Sequence, residues 1–192
     1  SISHQQNAFS LRQERGDQRW QIALWKGERD IQQFLAQRGD ALANSGGVVD
    51  LSRQFSGGNG NYTWDFNLAK QALSFTLGGE WSAMNDTRKG YVNNAGVAGD
   101  LRRNELGQAD NRDAYALLQW QATPQWQWLL GARQSHIALQ VDDYFIIPTK
   151  NADDSGDKTF NRSSQTLSTR YQINTDFSVH AAVGIGFETP TL

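Results

Sequence analysis

Phe177-Ser178-Val179-His180-Ala181-Ala182-Val183-Gly184-Ile185-Gly186-Phe187 is the stretch of sequence that decides the fold. Every odd-numbered residue in it is Phe, Val, Ala or Ile, and the residues between them are small or polar. Successive side chains of a β-strand point to opposite sides of the sheet, so an alternation of period two makes one side apolar. The stretch therefore predicts a β-strand with a single apolar face.

The same alternation recurs along the chain. It is clearest in four further segments, 20–24, 62–68, 73–77 and 167–173. A helical spacing of apolar residues is weak and confined to residues 29–42, and it is absent elsewhere. The pattern predicts an all-β chain whose strands are apolar on one side only.

Composition restricts the classes of protein that fit. Of the 192 residues 38% are hydrophobic and the mean hydropathy is −0.64, yet the chain has seven Trp and nine Phe. No run of about 18 apolar residues is present, which excludes a transmembrane helix. A transmembrane β-barrel remains compatible, because its lipid-facing and lumen-facing residues alternate and average to a polar hydropathy. The net charge of −2, with scattered Lys and Arg, argues against nucleic-acid binding. The absence of cysteine is uninformative.

Short and long breaks alternate between the predicted strands. Short polar turns occur at 16–18, 69–71, 123–125 and 174–176, about 52 residues apart, and long polar stretches occupy 36–47, 85–110 and 148–160. In outer-membrane barrels the periplasmic turns are short and the extracellular loops are long. We therefore expect eight strands, at about 5–15, 19–34, 47–67, 72–84, 109–122, 126–147, 160–173 and 177–188. The Gly57–Asn61 segment inside the third is either a bulge or a small hairpin.

Four tryptophans lie within a few residues of a short turn, on the alternating apolar face: Trp20, Trp64, Trp126 and Trp128. The indole ring has an apolar body and one N–H, so it prefers the membrane interface, and barrels carry girdles of such residues. The alternative is a tryptophan-rich core in a soluble β-sandwich. The repeated position at one end of the hairpins favours the girdle.

Neither a catalytic group nor a metal site is evident, so we expect neither an enzyme nor a bound cofactor. The three histidines, at 4, 136 and 180, are far apart and lack a neighbouring ligand at zinc-site spacing. The acidic run Asp153–Asp157 lacks the alternating acidic spacing and distal Glu of a calcium loop. It is better explained as a solvated loop.

The C-terminal residues Gly186-Phe187-Glu188-Thr189-Pro190-Thr191-Leu192 resemble a strand-to-loop segment of TonB-dependent outer-membrane receptors. Further segments occur in an order similar to one receptor subgroup, associated with uptake of the cofactor pyrroloquinoline quinone. They are Gly46–Val49, Arg88–Tyr91, Gly99–Glu105 and Asp153–Asp157. The resemblance covers nearly the whole chain, although the internal segments are less specific than the terminal heptad.

The resemblance implies a 22-stranded barrel closed by an N-terminal plug, with residues 1–192 as the middle portion of the barrel domain. It implies an active transporter that binds a ferric siderophore, or a cofactor such as pyrroloquinoline quinone, and imports it with energy delivered by TonB. The expected partners are TonB, acting through the plug, outer-membrane lipid and lipopolysaccharide, and a small anionic or iron-chelate ligand. No signal peptide is visible at Ser1-Ile2-Ser3-His4, which fits either processing or a fragment.

For an anionic ligand, cationic side chains in the longest predicted loop are the candidate contacts: Arg88, Lys89, Arg102 and Arg103. Arginine binds carboxylates in a bidentate manner, which fixes orientation as well as affinity. The same side chains would alternatively be solvated loop charges, lipopolysaccharide contacts or partners of Asp86, Asp100 and Glu105.

Two other classes of protein stay open at this point. One is a complete eight-stranded membrane barrel with a structural or adhesive role, and the other is a soluble ligand-binding barrel or β-sandwich. A piece of a larger barrel would instead form an open sheet with two unpaired edges, and we expect such a piece to aggregate on its own.

Overall fold

The computed structural model describes residues 1–188, so the Thr189–Leu192 part of the terminal motif lies outside the described residues. The described chain forms one antiparallel sheet in which every strand pairs with its sequence neighbours. Its strands are β1 Ile2–Arg15, β2 Gln18–Phe34, β3 Val48–Leu68, β4 Gln71–Asn94, β5 Val97–Gln121, β6 Trp126–Asp143, β7 Gly156–Gln172 and β8 Ser178–Ile185. The predicted all-β, antiparallel segment of eight strands is confirmed.

The sheet is open and has a single layer. Across residues 1–188 its order runs from β1 to β8 without pairing between those two strands. The only buried hydrophobic side chains in that range are Val48 and Val92, while Leu77, Val183 and many like them are exposed. A soluble sandwich needs a core between two layers, and a complete small barrel needs its edges joined. Neither alternative matches this sheet. The described chain contains no helix long and apolar enough to cross a membrane.

The four short turns lie where the sequence predicts them. The β3–β4 turn consists of Ala69 and Lys70, both with positive φ (50° and 66°), and Leu68 pairs with Gln71 across it. Two left-handed residues are the mark of a type I′ hairpin, whose twist matches that of the flanking strands. The turn therefore fixes the register of the β3–β4 pair without glycine.

The prediction of a long loop at 85–110 is wrong. β4 continues to Asn94 and β5 begins at Val97, so that only Ala95 and Gly96 separate two long strands. Pairing holds from Ala72↔Gln121 to Gly90↔Arg103, and register shifts follow at Tyr91 and before Asn93. This part of the hairpin extends past the apolar band, so both faces are polar and the period-two signal disappears. The other long connections, 35–47 and 144–155, lie close to their predicted positions, although β6 ends four residues earlier than expected.

The glycine-rich segment of β3 contains neither bulge nor hairpin. Gly57, Gly58 and Gly60 pair in unbroken register with both β2 and β4. A Cβ at Gly57 would lie 2.4 Å from the indole ring of Trp25. Glycine is thus required at that position because the neighbouring ring covers the backbone.

Register assigns every strand residue to one of two faces, since directly opposed residues share a face. One face is apolar near the short turns, as shown by the row Phe75, Leu118, Leu130, Leu167 and Val183. Further from the turns the same face becomes polar, at the row Gln5, Glu28, Gln54, Asn85, Gln108 and Gln140.

The apolar band in β4 runs from Leu73 to Trp81, about 26 Å along the strand at about 3.3 Å per residue. At a strand tilt of about 40° that length covers about 20 Å of membrane thickness, close to the band of about 25 Å in outer-membrane barrels. The face that carries this band is called the apolar face below, and the opposite one the polar face.

Candidate functional site

The strands distribute their charges unequally between the two faces. Within the described strands, the polar face carries ten basic and seven acidic side chains, and the apolar face four basic and six acidic ones; Asp100 and Arg102, which lie at the register shift in β5, are assigned to neither face. The basic residues of the polar face are Arg12, Arg19, Arg29, Arg53, Arg88, Arg103, Arg133, Lys158, Arg162 and Arg170. In a closed barrel this face lines the interior, so its net charge of +3 would attract anions to the inside.

The most tightly organised group on the polar face surrounds Asp86. Its carboxylate, which is 0% exposed, accepts hydrogen bonds from Nε of Arg53 at 2.6 Å and from Nη2 of the same side chain at 2.5 Å. Arg88, two residues along β4, donates to the same carboxylate at 3.1 Å. Two arginines therefore share one buried carboxylate, so the group has a net charge of +1.

Two further basic residues continue this row across the sheet. Arg53 is directly opposite Arg29 on β2, and Arg29 is opposite His4 on β1. Arg29 and His4 are both exposed, and the His4 ring stacks on Phe55 with centroids 5.9 Å apart. We name the set His4, Arg29, Arg53, Asp86 and Arg88 the basic row. It presents guanidinium donors from three adjacent strands, an arrangement suited to a carboxylate or a similar multi-oxygen anion.

A second ion pair lies nearer the short turns. Oδ2 of Asp113 on β5 accepts hydrogen bonds from Arg133 at 2.5 Å and from Asn111 at 2.7 Å. The Asp113 side chain is 1% exposed, and its Oδ1 has no hydrogen-bond partner. Because Arg133 is 45% exposed, this pair provides both an unsatisfied buried acceptor and an accessible cation on the polar face.

The four predicted contact residues lie in strands rather than in a loop, and they do not form one cluster. Arg88 belongs to the basic row. Lys89 is exposed on the opposite face, across from Asp50 on β3 and Asn104 on β5. The structure thus separates these two neighbours, because side chains that follow one another in a strand point to opposite sides.

Arg102 and Arg103 separate in the same way. Arg102 has no pairing partner in β4, because the register shifts there, and its Nε donates to the backbone carbonyl of Asp40 at 3.1 Å. Arg103 lies on the polar face, where its Nε is 2.7 Å from Oε1 of Glu105. That contact is ionic but lacks hydrogen-bond geometry, which leaves Nε buried without an acceptor. All three predicted acidic partners lie near these cations: Asp86 pairs with Arg88, Glu105 pairs with Arg103, and the highly exposed Asp100 forms a longer ion pair of 3.9 Å with Arg102.

The four predicted tryptophans all lie on the apolar face near the short turns. Trp126 packs against Trp128 with centroids 5.4 Å apart and the rings tilted, and its Nε1 donates to Oγ1 of Thr169 at 2.7 Å. Trp64 packs on Phe66 at 4.8 Å, and Nε1 of Trp20 donates to Oε1 of Gln13 at 2.8 Å. Each ring exposes an apolar surface, while two of the indole N–H groups are satisfied by polar neighbours.

Two functional candidates were not predicted from the sequence. Trp120 directly opposes Trp128, and its Nε1 donates to Gln71 at 2.9 Å. Its position three residues before the turn at 123–125 was the available signal. Arg53 gave no such signal, because its partner Asp86 is 33 residues away and only the β3–β4 register brings them together.

Within residues 1–188 no group of three or more His, Asp or Glu side chains is arranged to hold a metal ion. The acidic run Asp153–Asp157 begins in the 144–155 connection and ends in β7, where Asp157 pairs with Gln140 of β6. Hydrogen bonds from the Ser155 hydroxyl and then from its backbone N–H lower the pKa of Asp153. This is a turn in which serine satisfies a carboxylate locally.

Comparison with known proteins identifies the domain to which this sheet corresponds. Residues 2–192 match a family model described as TonB dependent receptor-like, beta-barrel. The match extends over almost the entire chain, and it therefore includes both the basic row and the tryptophans near the short turns.

Solved structures with the same fold include transporters and receptors for iron complexes. The unliganded ferric citrate transporter FecA superimposes with a TM-score of 0.79 at 12% identity, over 94% of this chain and 27% of that one. The open form of the ferric-catecholate import receptor Fiu from E. coli K12 gives 0.73 at 14% identity, over 98% and 36%. The siderophore receptor PiuA from Acinetobacter baumannii gives 0.73 at 11% identity, over 94% and 32%. The chain spans about a third or less of each, and identities this low establish the fold alone.

Proposed function

This chain belongs to the TonB-dependent receptor β-barrel family, and we propose that it forms part of the barrel wall of a transporter that imports a scarce solute. Barrels of this family are located in the bacterial outer membrane, and the apolar face of this sheet has the height and the aromatic residues that such a location requires. The transporter role concerns the whole receptor, of which this chain supplies eight strands.

In the proposed receptor the sheet continues on both sides into a barrel of 22 strands that surrounds a plug, with residues 1–192 in its middle portion. Solute captured at the outer face would reach the periplasm when TonB, acting on the plug, opens a path. No covalent chemistry is needed for this function. The barrel wall contributes a surface that attracts and orients the solute.

The observation that carries the choice of solute is the charge of the polar face. Its net positive charge, with the basic row at its outer part, fits an anionic solute such as a ferric siderophore with carboxylate or catecholate oxygens. Pyrroloquinoline quinone, a tricarboxylate, fits the same chemistry, and the segments Gly46–Val49 and Gly99–Glu105 support that option. Cationic groups on a low-dielectric wall raise the local concentration of an anion.

We propose that the basic row and Arg103 contact the solute, and that Lys89 does not. Arg88 and Arg103 both lie on the face that lines the interior, whereas Lys89 lies on the outer surface above the apolar band. We propose that Lys89 instead contacts lipopolysaccharide. The tryptophans at 20, 64, 126 and 128 are proposed to form the inner girdle, at the level of the lipid headgroups on the periplasmic side.

Uptake by intact cells tests the function. Cells that express the full receptor should accumulate ⁵⁵Fe supplied as a ferric siderophore, or pyrroloquinoline quinone, and this accumulation should disappear when either the receptor or TonB is deleted. If none of the supplied anionic solutes depends on the receptor, the proposal of an anionic solute is wrong.

A pair of variants then tests the site. Arg29→Gln with Arg53→Gln should weaken binding of the anionic solute by about tenfold or more, since each charge-assisted hydrogen bond contributes about 1.5–3 kcal/mol. Lys89→Gln is the matched control, and it should leave uptake unchanged. Arg103→Ala tests the remaining proposed contact, and unchanged uptake would remove it from the site.

A further inference from the structure

The connection between β2 and β3, residues 35–47, is folded back onto the strands next to it. Gly47 N–H donates to the carbonyl of Tyr91 at 2.8 Å, and Leu35 N–H donates to the carbonyl of Gly47 at 2.8 Å. Within the connection, the side-chain carbonyl of Asn44 accepts a hydrogen bond from Gly46 N–H. The first and last residues of the connection are thus hydrogen-bonded to each other, and the last is also hydrogen-bonded to the backbone of β4.

Asn93, near the tip of β4, holds the connection at two points. Its backbone N–H donates to the carbonyl of Arg38 at 2.8 Å, and its side-chain Nδ2 donates to the carbonyl of Leu35 at 2.8 Å. Arg102, at the register shift in β5, holds a third point through the Asp40 carbonyl. The Arg102 side chain is only 14% exposed, so most of its surface is covered in this position.

The connection lies on the polar face of the sheet. Gly90 shares that face with Arg88, and a Cβ added to Gly90 would come within 1.8 Å of the Ser45 carbonyl oxygen. The backbone of the connection thus occupies the space into which a side chain at position 90 would point. Residues 35–47 extend inward over the interior surface, next to Arg88 of the basic row.

We propose that residues 35–47 form a fixed segment, called the shelf, over the outer end of the polar face. Asn93 and Arg102 hold the shelf in this position whether or not solute is bound. Arg102 is then a positioning residue, and its guanidinium is occupied by the shelf instead of by solute. If this chain is a solute receptor, as proposed above, the shelf narrows the entrance next to the basic row. It would thereby limit the size of the solutes that reach that row.

The Arg38–Gly39 peptide bond offers a direct test of the shelf. A protease requires an accessible, extended backbone around the bond that it cleaves, and in the closed shelf Asn93 occupies the Arg38 carbonyl while Gly39 is buried. The Arg38 side chain itself is 67% exposed, so only the backbone protects the site. Trypsin should cleave this bond only after the shelf has moved away from Asn93 and exposed the backbone of Arg38 and Gly39.

The experiment uses the full receptor in outer-membrane vesicles, without solute, with trypsin products identified by mass spectrometry. Wild-type receptor should be cut after Arg38 at least tenfold more slowly than Arg102→Ala or Gly90→Ala. Cleavage after Lys150, in the 144–155 connection, is the internal reference and should be equal in all three. Lys89→Ala is the control for loss of a nearby cation, and Arg102→Lys should restore part of the protection.

Equal cleavage after Arg38 in wild-type receptor and in Arg102→Ala would overturn the proposal. If Gly90→Ala fails to assemble, the comparison of Arg102→Ala with Arg102→Lys still decides the matter. Because the measurement involves no solute, its result is independent of whether the receptor imports an anion. A shelf that resists trypsin in a receptor with no anionic substrate would leave this inference intact and remove only the proposed solute.

Discussion

The guanidinium of Arg53 on β3 donates two parallel hydrogen bonds, of 2.6 and 2.5 Å, to the carboxylate of Asp86 on β4. The two residues are directly opposite each other in the sheet. The carboxylate is fully buried, whereas the arginine is 31% exposed. Burial of a charge is costly unless it is paired. The pair therefore stabilises the sheet at the same place where its positive surplus faces the interior.

Replacement of Asp86 should destabilise the receptor strongly. Asp86→Asn leaves Arg53 and Arg88 without their shared carboxylate, and loss of one partner of a buried pair costs about 3–5 kcal/mol. Partial exposure of both arginines reduces the expected loss to about 2 kcal/mol. Urea unfolding of the full receptor in detergent measures the change, with the exposed carboxylate in Asp110→Asn as the control. A loss below about 0.5 kcal/mol would show that the pair is not stabilising.

Adjacent leucines in β6 provide a test of which face meets lipid. Leu130 lies on the apolar face and Leu129 on the polar face, and their exposures are similar, 41% and 36%. Leu130→Arg should cost about 2–4 kcal/mol, the penalty for a cation near the middle of the bilayer, whereas Leu129→Arg should cost less than about 1 kcal/mol. The stability of the refolded receptor in lipid vesicles separates the two variants. Equal effects would refute the assignment of faces.

The glycines of β3 should differ sharply in their tolerance of a methyl group. A Cβ at Gly57 would collide with Trp25, so Gly57→Ala should destabilise by about 1–3 kcal/mol through overpacking. At Gly60 the nearest atom is 3.6 Å away, so Gly60→Ala should be neutral or stabilise by up to about 1 kcal/mol. Thermal unfolding followed by tryptophan fluorescence measures both. The prediction fails if the two alanines act alike.

The β3–β4 turn contains strain that can be removed. Lys70 adopts φ of 66°, which costs an L-residue about 1 kcal/mol and a glycine almost nothing. Lys70→Gly should therefore raise the unfolding free energy of the receptor by about 0.5–1 kcal/mol. Lys70→Ala removes the same charge but retains the strain, and it should give no gain. A gain in both variants would instead assign the effect to charge.

Much of this fold could be predicted from the sequence because the bilayer imposes a strong pattern. Where a strand crosses lipid, one face must be apolar, so Phe75 and Leu77 alternate with Thr76 and the strand is evident. The turn at 69–71 follows because polar residues interrupt that alternation.

The error at 85–110 arose where lipid no longer constrains the chain. Between Asn85 and Asn94 neither face of β4 needs to be apolar, so the strand resembles a loop in sequence. The turn residues Ala95 and Gly96 mark the true hairpin end, yet one glycine among several polar residues is a weak signal. The site was predicted only in part for a related reason. Arg88 was identified as a cation, but its connection to Arg53 depends on strand register, which residue spacing alone does not determine.

The length of the β4–β5 hairpin determines what an approaching molecule meets first. From Trp81, at the outer limit of the apolar band, β4 continues to Asn94, about 43 Å further along the strand at about 3.3 Å per residue. At a tilt of about 40° this raises the hairpin tip about 30 Å above the hydrocarbon. The barrel wall therefore projects well beyond the lipid at this hairpin. A molecule diffusing toward the cell reaches this rim well before it reaches the membrane surface.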